Sequence, residues 1–101
     1  MDFPRLSGKE AEVLRLLIAN GEMYGLQLVN GSDGQLKRGT VYVTLGRMED
    51  KGYVESTVDD MAPGDGPPRR RYAVTGLGIR AYRAMEHAAR SFAGMEGAWA
   101  K

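Results

Sequence analysis

Few residues of this chain are equipped for covalent chemistry. Its 101 residues include no cysteine, which removes thiol nucleophiles, cysteine-based zinc sites and disulfides together. The single histidine, His87, has no Ser, Asp or Cys partner at a recognisable spacing, so neither a triad nor a metal site is indicated. Glu49-Asp50 and Asp59-Asp60 are adjacent acidic pairs that read as solvated charge. "GLGIRA", Gly76 to Ala81, fits the loose form of a dinucleotide fingerprint. That motif needs a parallel βαβ unit with an acidic residue about 20 positions further on, whereas the strand before Gly76 reads as half of a hairpin. The expectation is no enzyme, no metal and no cofactor.

What remains is recognition by cations. The net charge is only +1, yet it is unevenly spread. Residues 1–36 hold three basic and five acidic groups, and residues 72–101 hold four and two. The dense basic clusters, Lys37-Arg38 and Arg69-Arg70-Arg71, lie between them, so any nucleic-acid footprint is local. The first cluster opens "KRGTVYVTLGRMEDKGYV", Lys37 to Val54. At about 100° per residue, Val41, Leu45 and Met48 share one narrow arc, the stripe of a core-facing helix. The opposite face carries Gly39, Thr40, Val43, Gly46, Arg47 and Asp50, with Tyr42 on one flank. It is small, slightly apolar and tipped with a guanidinium, unlike the Glu/Lys mixture of a solvated helix. Its glycines and Thr40 permit close approach to base edges, Val43 suits a thymine methyl, and Arg47 a guanine edge or a phosphate. Lys37, Arg38 and the amides at the helix start are placed for phosphates.

The neighbouring segments must position that face. "LSGKEAEVLRLLIANG" reads as a first helix: Ser7 and Glu10 form a capping box, Val13, Leu14, Leu17 and Ile18 one apolar face, and Asn20-Gly21 a stop. "MYGLQLVN" reads as a second, shorter helix, "GSDG" as a loop, and Gly52 as the cap that ends the third helix. The period then changes. "YVESTV" and "RRRYAVT" alternate as strands, while "DDMAPGDGPP" between them is too rich in Gly and Pro for regular structure. These predict a two-stranded antiparallel ribbon with a long flexible tip. Alternation sends Arg69 and Arg71 to one face of it and Arg70, with Tyr72, to the other, so at least one arginine faces the groove side, and all three are candidate DNA contacts. Thr75 then caps a helix running toward Trp99, about 37 Å long at 1.5 Å per residue. The fold class is α+β, mostly α, on the winged helix-turn-helix plan, with the third helix able to enter a major groove.

Residues 1–75 would form the winged-helix DNA-binding domain and residues 76–101 a C-terminal dimerisation helix. Along that helix Ala81, Met85, Ala88, Phe92, Met95 and Trp99 follow alternating steps of four and three residues, a heptad-like seam. Small alanines let two backbones approach, and so small a domain cannot cover the whole stripe. The seam meets either its own three-helix core, for which Leu77 and Tyr82 near the start are better placed, or a second copy, for which the distal residues are. A twofold dimer would set two recognition helices about 34 Å apart, one turn of DNA. Phe92, Met95 and Trp99 also suit a flat aromatic ligand, although plain dimer contact is the more ordinary account of an aromatic cluster on a helix. Apolar runs of only a few residues exclude a membrane-spanning helix. "MDFPRLSGKE" lacks the basic start and apolar stretch of a signal peptide, and the expected location is cytoplasmic.

"MYGLQLV", "RGTVYVTLGRMEDKGYV" and "RRRYAVTGLG" resemble, in order and content, three signature segments of the PadR-type transcriptional regulators. The similar positions are Gly39, Thr40, Val41, Tyr42, Leu45, Arg47, Met48, Glu49, Gly52, Val54, Arg70, Arg71, Tyr72, Thr75 and Gly78, within residues 6–80. Val43 stands where that family often has proline. The resemblance implies a homodimeric repressor that binds a palindromic operator in double-stranded DNA and is often released by a small, frequently aromatic, effector. It implies the short form, with one dimerising helix. The rival reading is a dimeric winged-helix module that binds protein and not DNA.

Overall fold

The fold is taken from a computed structural model that describes residues 6–59 and 69–99, with side chains through residue 91. Helix α1 (Gly8–Asn20) starts where Ser7 Oγ accepts from the Glu10 amide at 3.1 Å and Glu10 Oε1 accepts from the Ser7 amide at 3.0 Å. This is the capping box expected from the sequence, and it satisfies two otherwise orphaned donors. Glu10 has a second partner, Lys51 Nζ at 2.9 Å, which ties the start of α1 to the end of the third helix. The apolar face of α1 is wider than periodicity suggests. Leu16 is buried, whereas Ile18, assigned to the core stripe, is 41% exposed. The reason is that α1 is central, packing against α3, α4 and the sheet, so inward positions lie on more than one arc.

The second segment departs from expectation. Met23–Tyr24 is a short strand, β1, and α2 (Gly25–Gly31) begins only after it. Gln27 Oε1 accepts from the Tyr24 amide at 2.8 Å, holding Tyr24 extended as the helix starts beyond it. Helix α3 (Val41–Asp50) ends before Gly52, whose φ of +81° is the left-handed geometry that glycine adopts without a steric cost. Strands β2 (Val54–Asp59) and β3 (Arg69–Val74) form the expected hairpin. Because β1 pairs with β3 as well, through Met23↔Tyr72 and Tyr24↔Arg71, the ribbon is a three-stranded antiparallel sheet of order β1-β3-β2. The tip, residues 60–68, lies outside the described residues. Leu14, Leu17, Leu28, Leu45, Met48 and Val54 fill the core between helices and sheet.

Helix α4 (Gly76–Trp99) is rooted at the junction of α3 and β2. Thr75 Oγ1 accepts from the Gly78 amide at 3.0 Å and donates to the Gly52 carbonyl at 2.6 Å. A Cβ at Gly78 would collide with the Tyr53 carbonyl and stand 2.9 Å from Val74 Cγ2. Only glycine lets the helix settle this closely on the sheet. One seam assignment changes as a result: Ala81 is 2% exposed, buried within its own chain as α4 packs along α1. Met85 is half-buried, and residues 86–91 are exposed all round. The side chains of Phe92, Met95 and Trp99 lie outside those described.

Candidate nucleic-acid interface

Helix α3 is divided as its sequence predicts. Val41, Leu45 and Met48 are each at most 1% exposed, while Tyr42 and Val43 are 51% and 57% exposed. Gly39, Thr40, Gly46 and Arg47 share the open side. A Cβ built at Gly39 or Gly46 would meet nothing within 4 Å. That vacancy is informative, because glycine inside a helix costs about 1 kcal/mol relative to alanine. Among the described residues nothing requires Gly46 to be small, and its side of the helix stands open to an outside surface.

The same end of the molecule is electropositive. Thr40 holds the N-cap position of α3 without a side-chain cap, while the Lys37 carbonyl accepts from the Val41 amide at 2.9 Å; the amides that follow lie at the positive end of the helix. Lys37 and Arg38 precede it, and Arg47 lies two turns along. All three are exposed, and among the described residues none is paired with a carboxylate. Tyr42 has a packing role as well. Its ring covers Gly25, where a Cβ would stand 2.6 Å from Cε1 and 2.8 Å from the hydroxyl oxygen. The Tyr42–Gly25 contact thereby sets how closely α2 and α3 approach.

The wing separates the three arginines. Cross-strand partners Ser56↔Tyr72 and Val58↔Arg70 put Arg70 on the face that carries Tyr72. Burial pushes the Tyr72 phenol above its ordinary pKa, and Glu49 of α3 adds to the effect, so this face looks toward α3. Arg69 and Arg71 occupy the other face, their guanidinium carbons 5.8 and 5.9 Å from the Tyr24 ring centre. Arg71 is further committed: Nη2 is 2.5 Å from Asp59 Oδ2 and Nη1 is 3.2 Å from Glu22 Oε2. Asp59, and Glu22 after it, hold this guanidinium above its ordinary pKa. The Tyr24 hydroxyl donates to the same Asp59 oxygen. This network ties β1 to both wing strands, a role that grouping the three arginines as DNA contacts did not assign to Arg71. Sequence reasoning also missed Glu49, which accepts from the Ser56 amide at 3.1 Å and from its hydroxyl at 2.7 Å. Glu22 lies 49 residues from Arg71 and so carries no local signal of the pairing.

Among the described residues, no group of three His, Cys, Asp or Glu is placed to hold a metal, and no helix is long and apolar enough to cross a membrane.

A PadR-family transcription regulator from Clostridium difficile R20291 has a similar structure, with a TM-score of 0.76 at 20% identity over 94% of this chain and 100% of that one. YusO from Bacillus subtilis gives 0.79 at 13% identity, over 93% of this chain and 62% of its own. The regulator PcaV from Streptomyces coelicolor, solved with its natural ligand, gives 0.71 at 22% identity, over 84% and 57%. No curated protein sequence matches the chain. These likenesses speak for the fold. The sequence model of the Transcriptional regulator PadR-like family matches residues 13–84, from α1 through the wing and into α4. The chain belongs to the PadR-like family of transcriptional regulators, proteins that act by binding DNA and not by catalysis.

Proposed function

We propose that the chain is a cytoplasmic homodimeric repressor that binds an inverted-repeat operator in double-stranded DNA and is released by a small aromatic ligand. The observation that carries DNA contact by α3 is its open outer face, where a Cβ at Gly39 or Gly46 would meet no described residue within 4 Å. In this reading Thr40, Val43 and Arg47 meet base edges in the major groove. Lys37, Arg38, Arg69 and Arg70 hold phosphates, and Tyr42 offers its hydroxyl to one while keeping α2 against α3. Arg71 contributes by holding the wing.

Dimerisation is assigned to residues 76–101, with residues 1–75 as the DNA-binding unit. Helix α4 is exposed on every side over residues 86–91. So short a helical stretch is marginal in water without a packed face. Met85, Ala88, Phe92, Met95 and Trp99 continue one stripe that a second copy would cover. Release by a ligand draws support from PcaV, which was solved with one, and from the aromatic residues Phe92 and Trp99 beside Met95.

The test is selection of a duplex from a randomised pool by the full chain, followed by titration across salt concentrations. Phosphate contacts release counterions, so affinity must fall linearly on a log–log plot. A chain that retains no duplex refutes DNA binding and leaves the protein-interaction module. Sedimentation of a chain truncated after Ala89 tests the seam, and a dimer that survives truncation overturns it. Trp99 fluorescence titrated with planar aromatic acids tests the ligand; an unmoved signal leaves the stripe as dimer contact alone.

A further inference from the structure

One exposed hydroxyl joins the recognition helix to both strands of the wing. Ser56 Oγ on β2 lies 2.7 Å from Glu49 Oε2 in the last turn of α3, and the Ser56 amide donates to the same oxygen at 3.1 Å. Arg70 Nη1 on β3 donates to Ser56 Oγ at 3.2 Å. The hydroxyl has a single proton, and it donates a hydrogen bond through it to the carboxylate, which can only accept. Its lone pairs are thereby turned toward the guanidinium. Guanidinium, hydroxyl and carboxylate form a chain in which each bond polarises the next.

A carboxylate at this place is otherwise unfavourable. It lies two residues from Arg47 and one hydroxyl from Arg70, where a negative charge repels the phosphate backbone those cations would meet. Its carboxylate binds Ser56 of the wing, and Glu49 is exposed, so the core does not depend on that side chain. We propose that Glu49 and Ser56 are positioning residues: they aim the Arg70 guanidinium at the operator backbone and hold the wing at one angle to α3. Base contacts by α3 and phosphate contact by the wing are then made in a single register. The proposal rests on the operator-binding reading above.

The sign of one substitution separates this relay from simple charge. By charge alone, Glu49→Ala removes a repulsive carboxylate and strengthens DNA binding; by the relay it weakens it. The experiment is anisotropy titration of the full chain and of Glu49→Ala, Ser56→Ala and Ser56→Thr, on the duplex that the unmodified chain selects from the randomised pool. Glu55→Gln, on the opposite face of β2, controls for loss of one negative charge. Glu49→Ala and Ser56→Ala should each weaken binding roughly threefold to tenfold, the scale of one lost hydrogen bond. The log–log salt slope should shrink by about 0.9, one phosphate contact. Ser56→Thr keeps the hydroxyl on a residue suited to strands and should restore both values. Glu55→Gln should bind at least as well as the unmodified chain, and melting temperatures should stay level because these bonds are exposed. Tighter binding by Glu49→Ala, or unaltered affinity and slope for Ser56→Ala, overturns the relay and leaves operator binding intact. Weaker binding with an unchanged slope overturns the aim at a phosphate. If the unmodified chain selects no duplex, the operator reading falls and the relay with it.

Discussion

Replacing Gly46 by alanine should make this protein more stable and a poorer DNA binder. Gly46 lies inside α3 (Val41–Asp50), and a Cβ added there meets nothing within 4 Å. The stabilising side is therefore the propensity difference alone, about 1 kcal/mol for an exposed helix interior. For a domain of this size that corresponds to a rise of about 4–8 °C in melting temperature. The opposing side acts only in the complex. The methyl group projects from the face between Val43 and Arg47, where a duplex seated closely on glycine has no room for it. Overpacking of a close interface costs about 1–3 kcal/mol, which is roughly 5- to 150-fold in Kd. Thermal denaturation followed by circular dichroism reads the first effect, and anisotropy on the selected duplex reads the second. Gly46→Leu should enlarge the binding loss. A raised melting temperature with unaltered affinity would refute the close approach. A lowered melting temperature would show that this face packs within the protein's own assembly, and the inference from open space would fail.

Gly25→Ala should lower the melting temperature by overpacking of about 1–3 kcal/mol, since its Cβ would stand 2.6 Å from the Tyr42 ring; calorimetry checks it, and Tyr42→Ala in the same chain should relieve part of the loss. Tyr42→Phe keeps the ring over Gly25, so melting should be unchanged while titration shows weaker DNA binding. Arg47→Ala should cost about 1–3 kcal/mol on the selected duplex if the contact is bidentate to a base, with less effect on random DNA. Arg71→Ala should lower the melting temperature more than Arg70→Ala, because it removes the guanidinium that bridges Asp59 and Glu22 and so loosens β1 from the wing. Acid unfolding should depend on Glu10. Burial alone pushes its carboxyl up, but the Ser7 amide and Lys51 more than offset that and hold it below the ordinary 4.5. A depressed folded pKa contributes stability that is present above 4.5 and lost as pH falls through the folded value. Glu10→Gln should therefore lower stability at neutral pH and flatten the acid limb of a melting-temperature profile below 4.5.

The sequence by itself determined the local elements and their order. The Ser7–Glu10 spacing set the start of α1, the Val41–Leu45–Met48 arc set the buried face of α3, and alternation along β3 set Arg70 with Tyr72. Each of these is written in the geometry of one segment, where a period of 3.6 or 2 residues fixes which side chains share a face. The outward set of α3, Gly39, Thr40, Val43, Gly46 and Arg47, was legible for the same reason. Only the tertiary structure decided what those faces meet. Met23–Tyr24 reads as the first turn of a helix until β3, far along the chain, presents an edge to pair with it. Ala81 continues the seam of α4 by spacing, yet the close seat allowed by Gly78 buries it in its own domain. Arg71 is one of three like arginines in the sequence; Glu22 and Asp59, brought to it by sheet pairing, set it apart. The Glu49–Ser56–Arg70 chain likewise exists only once α3 and the wing are side by side. Periodicity is a property of neighbouring peptide units, whereas partners are chosen by packing between segments tens of residues apart, which no local spacing records.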